Sequence, residues 1–308
     1  MILSSIFSKT KPINFVLLFS YLLLIFLITT FSGLRTFAAK GSLANYFIIM
    51  GLLAMIVFLV EFICKRNNLS ANNNFVIYVF ITLLSIFPAI FFYPKLVVAI
   101  FFVLLALRKI ITLKSQIGVK RKIFDAALWI GVAILCYNWI LFLLIPLFVA
   151  IAIYAGNSFR NLLIPFVAIS TVFILSYTTF LLLDMQEQFK ALLSFQVFIK
   201  QEYFTMAYLW VPTALFMILT IISVLTFFFS LKTKTTSVKN SLLIVLLTLC
   251  ASILAIVLGN KLEGASYTLL IFPLAIFTGN YLEQLTKKRF REGLLWVFCL
   301  LPFLNLLL

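Results

Sequence analysis

Long apolar runs separated by short basic gaps constrain the fold of this chain more than any other feature of its sequence. A helix needs about 20 mostly apolar residues to cross the hydrocarbon core of a bilayer. Lipid offers no partners for backbone N–H and C=O groups, so spanning segments of this kind must be helical. The eleven runs cover residues 13–34, 44–64, 75–92, 95–107, 124–138, 140–155, 161–183, 207–230, 241–259, 264–283 and 293–308.

This pattern predicts an all-α integral membrane protein, a bundle of about eleven transmembrane helices (ten to twelve) in a single polytopic domain over residues 1–308. The runs 95–107, 124–138 and 293–308 are short for a full crossing. Composition excludes a soluble fold, since only 10% of residues are charged and mean hydropathy is +1.22. About a quarter of the residues in a soluble domain are charged.

The Lys and Arg residues predict the orientation. Gaps on the same side as the N-terminus hold eighteen of the 24 basic residues, and gaps on the other side hold six. Basic residues concentrate in cytoplasmic loops, so we expect a cytoplasmic N-terminus. The six basic residues on the outer side are Arg35, Lys40, Lys95, Lys190, Lys200 and Lys261.

The largest group of basic residues lies between the fourth and fifth runs. Dispersed basic residues next to the membrane favour contact with anionic lipid headgroups, at about 1 kcal/mol each. The net charge of +16 therefore does not predict a nucleic-acid partner, and membrane lipids are the expected one. The members of this basic cluster are Arg108, Lys109, Lys114, Lys120, Arg121 and Lys122.

The sequence also limits the chemistry that the chain can perform. Histidine is absent, which excludes His-ligated metals and His-based catalysis. The cysteines Cys64, Cys136, Cys250 and Cys299 all lie in apolar runs and form no CxxC pair. No Walker or GxGxxG nucleotide motif occurs. We expect no metal and no cofactor.

Acidic side chains are the remaining candidates for catalysis. On the inner side, Glu61 precedes Lys65 by four residues and predicts a helical ion pair. Asp125 is expected near a helix N-terminus beside the basic cluster, and Glu283 and Glu292 are expected as counter-ions of the basic residues between them. Solvated loop charges are the simplest interpretation of the outer-side acids, which are also the only catalytic candidates. These four are Asp184, Glu187, Glu202 and Glu263.

An outer segment over residues 184–205 is the longest outer-side gap. Its apolar residues Phe189, Leu192, Phe195 and Ile199 recur every three or four positions, which predicts a partly helical segment lying along the outer membrane surface.

Prolines within the runs predict kinks in several helices. Pro165, by contrast, is expected near the start of its helix. The kink-forming candidates are Pro88, Pro146, Pro212 and Pro273.

Residues about 75–183 combine a run ending near Pro88, the basic loop 108–122, two short runs that meet at Tyr137-Asn138-Trp139, and a long run beginning at Arg160. This stretch resembles the membrane core of the GT-C glycosyltransferases, which take sugars from polyprenyl-phosphate donors. The resemblance implies a GT-C-like helix arrangement over about a third of the chain. The Phe- and Asn-rich, Lys-biased sequence is also similar to an uncharacterised group of polytopic inner-membrane proteins in flavobacteria and their relatives.

The chain departs from the GT-C pattern at its first outer loop. That family carries an essential Asp or Glu there, whereas residues 33–42 contain no acid. The resemblance therefore transfers no catalytic residue.

Three functions stay open at this point. The favoured one is a non-catalytic membrane subunit or scaffold of an envelope complex, with other envelope membrane proteins as partners. The second is a polyprenyl-phosphate-linked glycosyltransferase of GT-C type, which uses an outer-side acid such as Asp184, Glu187 or Glu202. The third is a carrier or flippase for a lipid or amphiphile.

Overall fold

The computed structural model describes residues 2–31, 43–156, 158–194, 210–259 and 264–307. Over these ranges it contains thirteen α-helices, four short 3₁₀ segments and no strand, so the all-α prediction is confirmed. The helices are α1 (Leu3–Phe7), α2 (Pro12–Phe31), α3 (Leu43–Arg66), α4 (Phe75–Ile86), α5 (Pro94–Ile111), α6 (Val119–Cys136), α7 (Leu144–Tyr154), α8 (Phe159–Leu182), α9 (Gln186–Leu192), α10 (Trp210–Thr233), α11 (Thr236–Leu258), α12 (Ile271–Gln284) and α13 (Lys288–Leu307).

Every predicted apolar run overlaps one of these helices, and α1 and α9 are additional short ones. Within the described ranges, six helical segments are long and apolar enough to cross a membrane, which identifies a polytopic membrane protein. Shorter apolar helical segments occur at Phe75–Ile86, Asn138–Tyr154 and Ala214–Phe229. The six long segments are Pro12–Thr29, Asn45–Arg66, Pro94–Ser115, Phe159–Leu182, Thr236–Leu258 and Ala265–Gln284.

The three runs predicted to be short form longer helices than expected. Helices α5 and α6 each have 18 residues, and α13 has 20. The flanking basic residues, such as Arg108 and Lys109 in the last turn of α5, continue the helix beyond the apolar run. Long basic side chains can do this because their alkyl stems lie on apolar surface while the charge stays in water.

The four prolines predicted to kink helices lie instead at helix ends or in first turns, and Pro212 is the third residue of α10. Pro88 disfavours a helical conformation at Phe87 (φ −112°, ψ 74°), so α4 ends and the 3₁₀ segment Pro88–Phe92 follows. Pro146 is the third residue of α7, after the 3₁₀ segment Asn138–Leu143, and Pro273 is the third residue of α12, after Ala265–Leu270. Proline is tolerated in a first turn because its missing N–H would have no helical partner there.

The prediction that Pro165 lies near the start of its helix is wrong, because Pro165 lies inside α8. This helix begins at Phe159, earlier than the apolar run suggested, since Arg160 and Asn161 are already helical.

The described chain divides into two compact units, and the prediction of one transmembrane domain over residues 1–308 stays a prediction. The first unit comprises Met1–Pro94, Lys200–Lys234 and Leu262–Leu308. Its central helix is α4, in which all 12 residues are buried. Such a uniformly apolar short helix is stable only when neighbours surround it. Helices α2, α3, α12 and α13 supply this cover.

Gly279 of α12 sets the closest approach within the first unit. A Cβ atom at this position would lie 2.5 Å from Val76 Cγ2 and 3.1 Å from Val76 Cα. Only glycine therefore permits α12 to pack against α4 at this distance.

The second unit comprises Lys95–Ile199 and Thr235–Lys261. Helix α6 packs closely on α8, where a Cβ at Gly131 would lie 3.2 Å from Val172 Cγ2. The Phe102 ring of α5 stacks on Trp129 of α6 with centroids 5.4 Å apart. Helix α11 packs against α7 and the preceding 3₁₀ segment.

Candidate functional site

Residues Gln186–Leu192 of the outer segment form the helix α9, in line with the prediction that the segment is partly helical, and its place along the outer membrane surface stays a prediction. Phe189 is buried against α8, with its ring centroid 5.5 Å from that of Tyr177 and 5.7 Å from that of Phe180. Leu192 is half-buried. Phe195, Ile199 and the rest of the segment to residue 205 lie outside the described residues.

Two of the four outer-side acids are described, and they lie in different surroundings. Asp184 is exposed and occupies the left-handed region (φ 55°) in the turn between α8 and α9. Within the described ranges its carboxylate accepts no hydrogen bond and forms no ion pair. Glu187 is exposed on α9 and pairs with Lys190 at 2.9 Å, which raises the pKa of that lysine. Glu202 and Glu263 lie outside the described residues.

The basic cluster occupies an elbow between α5 and α6. Gln116 (φ 57°) and Gly118 (φ 63°) adopt left-handed conformations that reverse the chain between the two helices. Gln116 Nε2 also donates to the carbonyl of Tyr154 at 2.6 Å, which attaches the elbow to the end of α7.

Two of the cluster's lysines hold the elbow together. Lys109 pairs with Asp125 of α6 at 2.7 Å. Lys122 Nζ donates to the Thr112 carbonyl at 2.8 Å and to Ser115 Oγ at 2.5 Å. Burial and the neighbouring charge of Lys109 lower the pKa of Lys122.

The other members of the basic cluster divide by position. Lys120 and Arg121 are exposed on the first turn of α6. Arg108 and Lys114 make contacts of their own. The cluster therefore combines a structural clasp, formed by Lys109 and Lys122, with an exposed basic turn.

The prediction for Glu292 as a counter-ion of the basic residues 287–291 is wrong. Its carboxylate accepts the backbone N–H of Leu3 at 2.9 Å and of Ser4 at 2.8 Å, and so caps the first turn of α1. Burial raises the pKa of this carboxyl, but hydrogen bonds from the Ser4 hydroxyl and from the backbone of Ile2, Leu3 and Ser4 outweigh it and lower the value to about 2. Glu292 thus anchors the N-terminal helix.

The counter-ion prediction for Glu283 is wrong as well. Its carboxylate accepts the backbone N–H of Ala71 at 3.0 Å and the side-chain amide of Asn73 at 2.9 Å, so it fixes the Asn-rich turn before α4. The predicted pair of Glu61 with Lys65 is confirmed. Asp125 does lie beside the basic cluster, although in the second turn of α6 rather than the first.

Sequence reasoning missed a polar contact close to Glu283. Lys234 Nζ lies 3.3 Å from Oδ1 of the buried Asn280. Burial lowers the pKa of Lys234, and the negative charge of Glu283 opposes this effect. The available signal was Asn280 and Glu283, polar residues three apart at the end of an apolar helix, where an i, i+3 spacing places both on one face.

The described residues contain no group of three or more Cys, Asp or Glu side chains that could hold a metal ion. The comparisons with protein-family models, curated proteins and solved structures gave no match.

Proposed function

We propose that this chain is a polytopic protein of the bacterial inner membrane, with about eleven spanning helices and a cytoplasmic N-terminus. In this proposal it serves as a non-catalytic subunit or scaffold of an envelope complex. The uneven distribution of Lys and Arg supports the orientation. The resemblance to flavobacterial inner-membrane proteins supports the location.

The observation that carries the non-catalytic role is how the described carboxylates are used. Glu61, Asp125 and Glu187 pair with lysines, and Glu283 and Glu292 accept backbone N–H groups. These contacts are distributed over both units and over the two ends of the sequence. A general base must instead be available to a substrate hydroxyl or amide.

Polar groups engaged in this way stabilise the fold and leave broad apolar helix faces for lipid or partner proteins. Helix α8 illustrates this, since Phe166, Ile174 and Leu175 are more than half exposed. Such faces suit a protein whose task is to hold partners in the membrane.

Asp184 favours the second candidate, a GT-C-like transferase with a polyprenyl-phosphate ligand. Its carboxylate has no partner in the described chain and lies at the predicted outer end of α8. On this hypothesis it is the base that activates the acceptor.

Amide substitution separates the two candidates. Asp184→Asn, Glu187→Gln, Glu202→Gln and Glu263→Gln are each expressed in a host that lacks the gene, with folding checked by size exclusion in mild detergent. The subunit proposal predicts that all four restore the function of the host. Removal of a catalytic base costs about 10²–10⁴ in rate, so a single well-folded variant that fails would support the transferase and contradict the subunit. Proteins that co-purify with the wild-type chain identify the complex.

A further inference from the structure

An open groove of about 710 Å³ lies between the start of α2 and the last two turns of α3. Basic side chains and aromatic rings line it together. The basic residues are Lys11, Lys65 and Arg66, and the aromatic ones are Phe15, Phe58 and Phe62.

The aromatic wall is built by contacts between the two helices. The Phe15 ring stacks on Phe58 with centroids 5.8 Å apart and an interplanar angle of 16°. Phe58 is nevertheless 61% exposed and Phe62 is 42% exposed. The groove therefore offers apolar surface to a neighbouring molecule.

The charges at the groove do not cancel. Lys65 pairs with Glu61, and its ammonium lies 5.9 Å from the centroid of Phe15. Lys11 and Arg66 are exposed and form no ion pair within the described chain. Two uncompensated positive charges thus line the same opening as three aromatic rings.

Buried Asn14 fixes the backbone that carries Lys11. Its side-chain amide donates to the carbonyl of Ile6 at 3.0 Å and to that of Lys9 at 2.8 Å. The chain before α2 is therefore held in one conformation, and the position of Lys11 relative to α2 is preset.

The groove also lies at the end of two helices that are long and apolar enough to cross a membrane, Pro12–Thr29 and Asn45–Arg66. Positive charge next to exposed aromatic surface, at the level where such helices leave the bilayer, matches a molecule with an anionic head and an apolar tail. Arg is well suited to the head because its guanidinium can bind a phosphate through two hydrogen bonds.

We propose that this groove binds one anionic phospholipid. Lys11 and Arg66 hold the phosphate, and an acyl chain lies along Phe15, Phe58 and Phe62. This inference goes beyond the proposed function, because lipid binding at the groove does not depend on a partner complex. It requires only that α2 and α3 span a bilayer.

Native mass spectrometry of the full chain in mild detergent tests the site with phosphatidylglycerol and phosphatidylcholine of identical acyl chains. Wild-type protein is expected to bind phosphatidylglycerol more tightly. Lys11→Gln/Arg66→Gln should weaken that binding about twenty-five-fold, since each basic residue near an anionic headgroup contributes a factor of about five. Lys288→Gln/Arg289→Gln is the matched control, because both residues are exposed and lie outside the groove. The two substitutions remove the same amount of positive charge. It should leave phosphatidylglycerol binding unchanged.

Two further arms define the ligand. Phe58→Ser should weaken the binding of both lipids, because it removes apolar wall without changing charge. Soluble glycerol 3-phosphate should not compete with phosphatidylglycerol. Competition by it, an equal loss of affinity in the control variant, or no loss in Lys11→Gln/Arg66→Gln would each overturn the proposal. The lipid measurement uses purified protein, so its outcome is independent of the complementation test of the subunit role.

Discussion

Glu292 should control whether the N-terminal helix stays in place. Helix α1 has only 5 residues, too few to be stable alone, since isolated helices shorter than about 12–15 residues are marginal in water. It depends on the two backbone N–H groups that the Glu292 carboxylate accepts and on the packing of Phe7 against Tyr78, whose ring centroids are 4.8 Å apart.

Glu292→Gln removes the charge and one of the two acceptor oxygens. A hydrogen bond to a charged group contributes about 1.5–3 kcal/mol, against about 0.5–1.5 kcal/mol for a neutral one. The substitution should therefore weaken the docking of α1 by about 2 kcal/mol, which raises the population of the open state about thirtyfold. The rest of the fold should be unaffected.

Hydrogen–deuterium exchange of the N-terminal peptide measures this directly. We expect the amides of Leu3 and Ser4 to exchange about thirtyfold faster in Glu292→Gln than in the wild type. Glu187→Gln is the control, since within the described ranges that exposed glutamate pairs only with Lys190 on its own short helix. It should leave the N-terminal exchange unchanged. Equal exchange in Glu292→Gln and wild type would refute the capping role.

The same site predicts a pH dependence. The pKa of Glu292 is about 2 in the folded protein, below its ordinary value of 4.5. A carboxylate whose pKa is lower when folded stabilises the folded form fully above its ordinary pKa, and this stabilisation disappears as the pH falls toward the folded value. Protection of Leu3 and Ser4, corrected for intrinsic exchange rates, should thus be constant above pH 4.5 and decline from there toward pH 2.

Two further predictions concern packing and metals. Gly279→Ala should lower the melting temperature in detergent, because its Cβ would lie 2.5 Å from Val76 Cγ2 and overpacking of this kind costs about 1–3 kcal/mol. Gly51→Ala is the control and should not lower the melting temperature, because a Cβ there meets nothing within 4 Å. Equal melting temperatures of the two variants would contradict the close approach of α4 and α12. Chelators should leave the melting temperature unchanged, and elemental analysis of pure protein should find no stoichiometric zinc or iron, since the chain has no histidine and no paired cysteines; a metal at one equivalent would refute this.

Local properties of the sequence predicted the helices well. An apolar run in lipid must satisfy its own backbone hydrogen bonds, which favours a helix. Each of the eleven runs accordingly overlaps a helix. Their ends were less predictable, because Arg108, Lys109 and Lys120 look like loop residues by polarity yet continue helices α5 and α6. Pro146 and Pro273 lie in the first turns of α7 and α12. A proline in an apolar run does not by itself show whether a helix starts there or is kinked there.

The roles of the acids were predictable only for neighbours in sequence. Glu61 and Lys65 are four residues apart, and helical geometry brings them together. Glu292 and Leu3 are separated by 289 positions, and Glu283 and Ala71 by 212. Charge attraction predicted that these acids pair with the basic residues beside them in sequence. The two carboxylates instead accept hydrogen bonds from backbone N–H groups that the tertiary fold brings close. The groove between α2 and α3 likewise arises from packing between helices and has no signature in either helix alone.

The orientation of the chain in the membrane is central to the proposed function, because it decides which acids lie on the outer side, and cysteine accessibility tests it most directly. Ser115 and Lys190 are both exposed, and three predicted spans separate them. We predict that a membrane-impermeant thiol reagent labels Lys190→Cys in intact cells but labels Ser115→Cys only after permeabilisation. The wild-type chain, whose four cysteines all lie in helices, provides the background. Labelling of Ser115→Cys in intact cells, or labelling of both variants from the same side, would contradict the topology.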